Sequence, residues 1–465
     1  MAVDGVITSL LGTGNFAEYE QNVYEKYQEM AEREIITRLN LLLSNGVFLW
    51  ILKQWSGRCG CRFFEYREIS IRLKSGRLWK VSSPVFLRAK PKKNRGRSPK
   101  RHKGALRHLG LELLGIMNRT SPALIEICVS MAVLCPSFEV AANVLRGLGI
   151  AMNEHLLQNI TIRFAGLAKK VRIECNVDDV WRKPGIKILI CVDGGRIRER
   201  RVKRGKHKKG QKRQGYSTEW FEPRLLTISQ FGPDGKKIKF VSPIIDGSCG
   251  SMDDFFELLK GYLSRMNLDE ASEIIFCADG GKGIWPRIDE LIEALGLSRA
   301  KRILDYTHAK QNIDVVKKTI ADALKLPDKE RRQLSAQIRE LLWNGDIDGI
   351  SDLVMEKLPG KRKASKVALK KLNEYFGDHS KFQYKTFRDA TLPTGSGTVE
   401  SAIRRVINLR IKGTGLFWNR KHAENILFLR SLVLTGKLKT ACRKGLKIVR
   451  TMYDHNTIEA LPVAA

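Results

Sequence analysis

At 465 residues the chain is longer than one simple core can bury, and 43% hydrophobic content supports more than one. Its 83 Lys and Arg against 49 Asp and Glu give a formal net charge of +34, which points to a polyanionic partner and away from a neutral one. A membrane role is disfavoured: the longest apolar stretch, Leu41 to Leu52, is interrupted by Ser44, Asn45 and Gly46 and is shorter than the ~18 residues a spanning helix needs. The start, Met1-Ala-Val-Asp4, lacks the basic segment of a signal peptide, and nine scattered cysteines with no Cys-x-x-Cys spacing read as reduced, cytoplasmic thiols. Cys59-Gly60-Cys61 has no second pair at zinc-finger spacing and is not read as a metal site.

Residues 1–90 begin with a helical pattern, Phe16 to Leu43, and continue through strand-like runs joined across Ser75-Gly76, which predicts a small hairpin. Arg88 to Arg107 carries ten Lys or Arg and no acid, the profile of a basic linker over 91–107. Over 108–180 the chain reads as helical, with Ser137 to Arg146, a glycine turn, and Asn153 to Phe164 outlining a helix-turn-helix. From 181 to 313 the period changes. Strands are expected at Ile186–Val192, Leu225–Phe231, Lys237–Val241, Glu273–Ala278 and Arg302–Tyr306, the second and third as a hairpin, with helices from Ser251 and from Ile284. Residues 314–390 are helical and strongly charged, 391–440 carry two amphipathic helices, and 441–465 form a basic tail.

Two of those apolar runs end alike, in Asp193-Gly194-Gly195 and Asp279-Gly280-Gly281. A buried strand that stops at a carboxylate followed by glycines holds a negative charge at a sheet edge with backbone room around it. Two such charges side by side are costly unless a cation lies between them. The order β-β-β-α-β-α-β, with aspartates ending the first and fourth strands, is the ribonuclease H arrangement, in which those strands are neighbours. Here the chain resembles DDE-type transposases of bacterial insertion sequences, the branch related to eukaryotic Mutator-like elements, over roughly residues 120 to 436. The matching residues are Cys191-Val-Asp-Gly194, Cys277-Ala-Asp-Gly-Gly281, Gly395-Ser-Gly-Thr-Val-Glu-Ser401, Leu304-Asp-Tyr-Thr-His308 and Asn408-Leu-Arg-Ile-Lys-Gly-Thr-Gly415 with Trp418. The chain departs from the family's Cys/His-type motif at Tyr306, where no cysteine precedes His308 by two residues.

The resemblance implies an α/β, ribonuclease-H-like mixed sheet with an all-helical insertion after the fifth strand, preceded by a mostly helical DNA-binding region. It implies Asp193, Asp279 and Glu400 as catalytic and metal-ligating residues, two Mg²⁺ (or Mn²⁺) ions as cofactors, and cleavage at transposon ends followed by strand transfer. Double-stranded DNA, both transposon ends and target, would be the partner, with a homo-oligomer on the DNA and a bacterial, nucleoid-associated location. The chemistry agrees: in-line displacement at phosphorus needs both the attacking and the leaving oxygen stabilised, which two hard cations on three carboxylates accomplish. Asp193 would bridge the ions. A nuclease of the same fold without strand transfer, or a non-catalytic DNA-binding descendant, would share most of these features.

Other residues have plainer alternatives. His308 and Asp305 are candidates for support of the site, although a first-turn pair of this kind also caps helices. Asp246 in Ile244-Ile-Asp-Gly247 is read as a turn residue away from the first strand. Arg196 to Arg213 holds eleven Lys or Arg and one acid directly after the first catalytic strand, so Arg196, Arg198, Arg200, Arg201, Lys203, Arg204, Lys206, Lys208 and Lys209 are expected to neutralise backbone phosphates from a loop. Asn153, His155, Gln158, Asn159 and Arg163 would read base edges from the second helix, with a core helical pair as the plainer alternative, and Arg410, Lys412 and Trp418 would grip a flipped or distorted strand, although a tryptophan after a glycine turn commonly just packs.

Overall fold

The computed structural model describes residues 16–58, 60–88, 106–203, 205, 215–281 and 283–451. Most of the expected 91–107 linker, Cys59, and the basic residues Arg204, Lys206, Lys208 and Lys209 lie outside the described residues. The chain forms two compact units, 1–172 with 438–465 and 173–437. Among the described residues no single helix is long and apolar enough to cross a membrane.

The first unit opens with α1 (Phe16–Ser44) and α2 (Gly46–Arg58), followed by the hairpin β1 (Cys61–Arg72) and β2 (Leu78–Arg88), with the short β3 (Leu106–Arg107) added to β2. Glu32 on α1 is buried at 3% exposure, yet it is fully occupied. It accepts from Ser75 N at 2.9 Å, Ser75 Oγ at 2.7 Å and Trp79 Nε1 at 2.8 Å, so the helix grips the hairpin turn through a carboxylate that would otherwise be costly to bury. After α3 (Leu109–Leu113) come α4 (Pro122–Leu134), α5 (Phe138–Gly147) and α6 (Glu154–Ala168), each of these three started by a side-chain cap from Ser121, Ser137 or Asn153. The helices expected at Ser137 to Arg146 and Asn153 to Phe164 are α5 and α6, with α4 before them.

In the second unit β4 (Lys187–Gly194), the ribbon β5 (Ile197–Val202) and β6 (Tyr216–Phe221), β7 (Arg224–Phe231), β8 (Ile244–Ser248), α7 (Met252–Leu263), β9 (Glu273–Ala278), α8 (Ile284–Ala294) and β10 (Lys301–Leu304) follow in order. The main sheet is mixed, ordered β10-β9-β4-β7-β8. β4, β9 and β10 run parallel, and β7 is antiparallel to both its neighbours. One face of the sheet, with Ile188, Ile190, Val192, Ile274 and Phe276, packs on α7 and α8 through Phe255, Leu259, Tyr262, Ile288 and Leu291. Four further helices, α9 (Tyr306–Leu324), α10 (Asp328–Trp343), α11 (Ile347–Lys357) and α12 (Arg362–Tyr375), make the helical segment, which returns through α13 (Tyr384–Asp389) to α14 (Gly397–Ala402). A π-helical stretch (Ile403–Asn408), α15 (Arg420–Leu434) and, in the first unit, α16 (Leu438–Thr451) end the described chain.

Three expectations need correction. The third strand is Ile244–Ser248 rather than Lys237–Val241, which makes only an isolated bridge from Lys237 to Phe231. Burial decides this: Ile244 and Ile245 are each 2% exposed, whereas Phe240 is 99% exposed and has no apolar face to cover. Consequently Asp246 lies in a strand and not in a turn; it is fully buried, accepting from Tyr262 Oη at 2.6 Å and from Gly247 N at 2.8 Å. It stays two strands away from β4, as expected. Finally, the fifth strand ends at Leu304, and the helical segment begins at Tyr306 because Asp305 caps it.

Candidate active site

Strand register assembles the site. Val192 pairs with Ala278, and Ala278 with Leu304, so the next residues along β4, β9 and β10 are Asp193, Asp279 and Asp305. Three adjacent parallel strands, ~4.8 Å apart, therefore each give way to an aspartate at the same level. The alternation of side chains puts Cys191 and Asp193 on the sheet face opposite α7 and α8. That face carries α14: Thr398 Oγ1 lies 3.0 Å from Thr227 Oγ1 and donates to Cys191 Sγ at 3.4 Å. Glu400 sits on the same short helix.

The segment that delivers Glu400 is fastened to β10. Tyr384 Oη donates to Leu304 O at 3.0 Å, Tyr306 N to Thr394 O at 3.1 Å, and Ser396 N to the Asp305 carboxylate. Lys187, at the start of β4, donates from Nζ to Pro233 O at 3.1 Å and Ala390 O at 3.2 Å. The 120 residues between Asp279 and Glu400 thus return to the sheet through hydrogen bonds.

Electrostatics ties the carboxylates together. Burial raises the Asp193 carboxyl to about 6, and the negative charges of Asp279 and Glu400 push the same way. The Gly194 N–H, donating to Asp193 Oδ1 at 2.6 Å, and His308 pull it back down. Asp305 behaves differently. It is fully buried, but hydrogen bonds from Ser396 and from the His308 N–H at 3.0 Å outweigh that burial and hold it below the ordinary carboxylate range.

Asp305, His308 and Glu400 offer ligand atoms that all lie within 4.8 Å of one another. His308 Nδ1 is buried without a hydrogen-bond partner, and its neighbour Asp305 Oδ1 is 3.5 Å away. A donor set of carboxylate oxygens and one imidazole nitrogen, beside an Asp193 raised by burial and then by like charges, suits a divalent cation. Glu400 belongs to both groupings, facing Asp193 electrostatically and His308 by distance.

The glycines after each aspartate are explained by what approaches them. A Cβ on Gly194 would fall on the Glu222 carboxylate, one on Gly195 would lie 2.8 Å from Ile407, and one on Gly280 would fall on the Tyr375 ring. Tyr375, at the end of α12, accepts from the Gly280 N–H at 3.2 Å, and burial pushes its phenol up to about 12. Neither Glu222 nor Tyr375 stands out in the sequence. Only the paired glycines signal that something must come close.

The proposed DNA contacts divide. On α6, His155, Asn159 and Arg163 are exposed and spaced for one helix face, with Gln158 half-buried beside them. Asn153 is exposed but committed to capping, accepting from Leu156 N at 2.8 Å. Arg196 is an exposed residue before β5, and Arg198, Arg200 and Arg201 lie on β5 itself with Lys203 just beyond, so this part of the expected basic loop is a strand. Trp418 does not present a ring to solvent: it is 8% exposed, donates from Nε1 to Ile411 O at 2.9 Å and is edge-paired to β5. Arg410 is 3% exposed over that ring, which leaves Lys412 as the exposed member of the three.

No protein-family model matches the chain, and no curated protein does. Among solved structures, a Drosophila P element transposase strand transfer complex aligns with a TM-score of 0.25 and 12% identity, over 69% of this chain and 80% of that one. A likeness that slight carries no argument about fold or function. The chain is a mixed α/β protein with a helical N-terminal region, and what it does has to be argued from its own residues.

Proposed function

We propose that the chain is a DNA transposase of ribonuclease-H-like fold, cleaving transposon ends and joining them to target DNA with divalent metal ions, and working as an oligomer on DNA. The carrying observation is that Val192 pairs with Ala278 on the parallel strands β4 and β9, which makes Asp193 and Asp279 neighbours although they lie 86 positions apart in sequence. Supporting it are the strand order, in which β4 and β9 are parallel neighbours, and the formal charge of +34.

Asp193, Asp279 and Glu400 would hold the metal, with His308 as a further donor and Asp305 as the residue that positions both His308 and Glu400. Divalent ions there supply charge stabilisation to the attacking and leaving oxygens of a phosphodiester. The chain's own part is to keep three carboxylates oriented against their mutual repulsion. It does this with the Gly194 N–H on Asp193, the Gly281 N–H donating to Asp279 Oδ1 at 3.0 Å, and the Ser396 hydroxyl 3.5 Å from Glu400 Oε1.

The test is Mg²⁺-dependent cleavage of DNA carrying the source element's ends, followed by joining of the 3′-hydroxyl to a target. Asp193→Asn and Asp279→Asn should each abolish cleavage while DNA binding persists; retained cleavage in either sinks the proposal. Cleavage without joining would make the protein a nuclease, and DNA binding without metal binding would make it a non-catalytic descendant.

A further inference from the structure

The ribbon β5–β6 has two faces of different chemistry. Its register pairs Ile197 with Phe221, Glu199 with Glu219 and Arg201 with Ser217 on one face, and Arg198 with Trp220, Arg200 with Thr218 and Val202 with Tyr216 on the other. The first face is occupied within the protein: Ile197 and Phe221 are buried, and Glu199 pairs with Arg201 and Arg420, each at 3.0 Å. On the second face the arginines lie over rings instead. Arg198 is 5.0 Å from the centre of Trp220 and 5.7 Å from that of Phe417, and Arg200 is 4.4 Å from Tyr216. Trp220 is 56% exposed and Tyr216 42% exposed, so both rings of this face are open to a partner from solvent.

Arg198, Trp220, Lys412 and Thr414 line a cavity of about 230 Å³ at one end of this face. That is below the ~300–1,000 Å³ of a drug-sized ligand pocket, so it suits one planar group. Two features select the group. A tryptophan face and an arginine plane stack on any base, and Lys412 with Arg198 supplies the cations that a flanking phosphate needs. Position supports the same occupant: Arg198 follows Asp193 by five residues, which limits their separation to ~17 Å.

We propose that this face is a subsite for an unpaired nucleotide of a DNA strand, its base stacked on Trp220 beside Arg198 and its phosphate facing Lys412. The subsite rests on the DNA function argued above and adds to it the recognition of a single-stranded or flipped residue next to the reacting phosphodiester. Tyr216 and Arg200 extend the same surface for the adjoining nucleotide. The arginine and aromatic residues that perform this task are those of the ribbon, not the buried Trp418.

The test uses the full-length chain in EDTA, where no metal-dependent cleavage intervenes. The probes are a duplex with a short single-stranded overhang containing 2-aminopurine and the same duplex with blunt ends. The overhang duplex should bind more tightly, with the 2-aminopurine signal quenched by stacking. Trp220→Ala should lower the overhang-to-blunt affinity ratio by roughly tenfold and relieve the quenching, and Trp220→Phe, which keeps a ring face, should retain most of both. A ratio and a quench unchanged by Trp220→Ala overturn the subsite. Loss of Mg²⁺-dependent cleavage with the overhang preference intact overturns only the catalytic reading, whereas absence of all DNA binding overturns both.

Discussion

Tyr375, the last residue of α12, places its hydroxyl 3.2 Å from the backbone nitrogen of Gly280, the residue after Asp279. A helix of the segment between β10 and Glu400 thus reaches back to the second Asp-Gly-Gly. The contact requires a glycine, since any Cβ at 280 would overlap the Tyr375 ring. Gly280→Ala should therefore destabilise the protein by about 1–3 kcal/mol through overpacking, and Tyr375→Phe by about 1 kcal/mol through loss of one hydrogen bond. Their energies should not add. Shortening Tyr375 to Ala in the Gly280→Ala background should relieve the overlap, and urea unfolding of the four proteins of that cycle would show a coupling of at least about 0.5 kcal/mol. Strict additivity would mean that the tyrosine and the glycine do not meet.

Protonation of Asp193 should stabilise the metal-free protein. Its carboxyl titrates at an ordinary 3.8 in the unfolded chain and at about 6 in the fold, chiefly from burial and then from the charges of Asp279 and Glu400. The folded state holds the proton more tightly, so this contribution is fully present below pH 3.8 and is lost as pH rises through 6. Between those limits, thermal melts in EDTA should show a component that strengthens on acidification and is missing from Asp193→Asn. Parallel curves for the two proteins across that window would contradict it.

The parts of this site that were legible in the sequence are those with a short-range cause. Apolar runs ending in Asp-Gly mark β4 and β9. What stayed hidden depends on partners distant in the chain. Asp246 looks like the other strand-ending aspartates, and only the Tyr262 hydroxyl on α7 distinguishes it as a buried structural carboxylate. Trp418 looks like a DNA-facing ring until Ile411 supplies the acceptor that holds it inside. The run after Gly195 read as a loop because its arginines hide a period of two; Ile197 and Phe221 on the inner face reveal the ribbon once its partner strand is known.

Asp305 should prove more important for architecture than for chemistry. One oxygen accepts from the His308 N–H that starts α9 and the other from Ser396 just before α14, so a single buried side chain holds the other two residues of the three-residue candidate metal cluster. Asp305→Ala should cost about 2–4 kcal/mol, an N-cap plus an unsatisfied buried N–H. Asp305→Asn, which keeps one acceptor oxygen but turns an NH2 toward the other N–H, should recover only part of that loss. Chemical denaturation measures both. If Asp305→Ala left stability intact while abolishing metal binding, Asp305 would be a ligand in its own right.

Divalent metal should reverse the sign of the Asp193 effect. Without metal at neutral pH, Asp193→Asn removes a half-buried charge that is repelled by half-buried Asp279 and by exposed Glu400, and should raise the melting temperature. With Mg²⁺ or Mn²⁺ at a hundredfold excess over its dissociation constant, the parent should gain about 2.7 kcal/mol from ligand binding to the native state alone. The variant, lacking a principal ligand, should gain much less, so the order of the two melting temperatures should invert as metal is added. Glu400→Gln should follow the same course, since Glu400 contributes to the field on Asp193 and to the cluster with His308. A parent protein whose melting temperature ignores both metals, with all three carboxylates present, would remove the metal centre on which the catalytic reading depends.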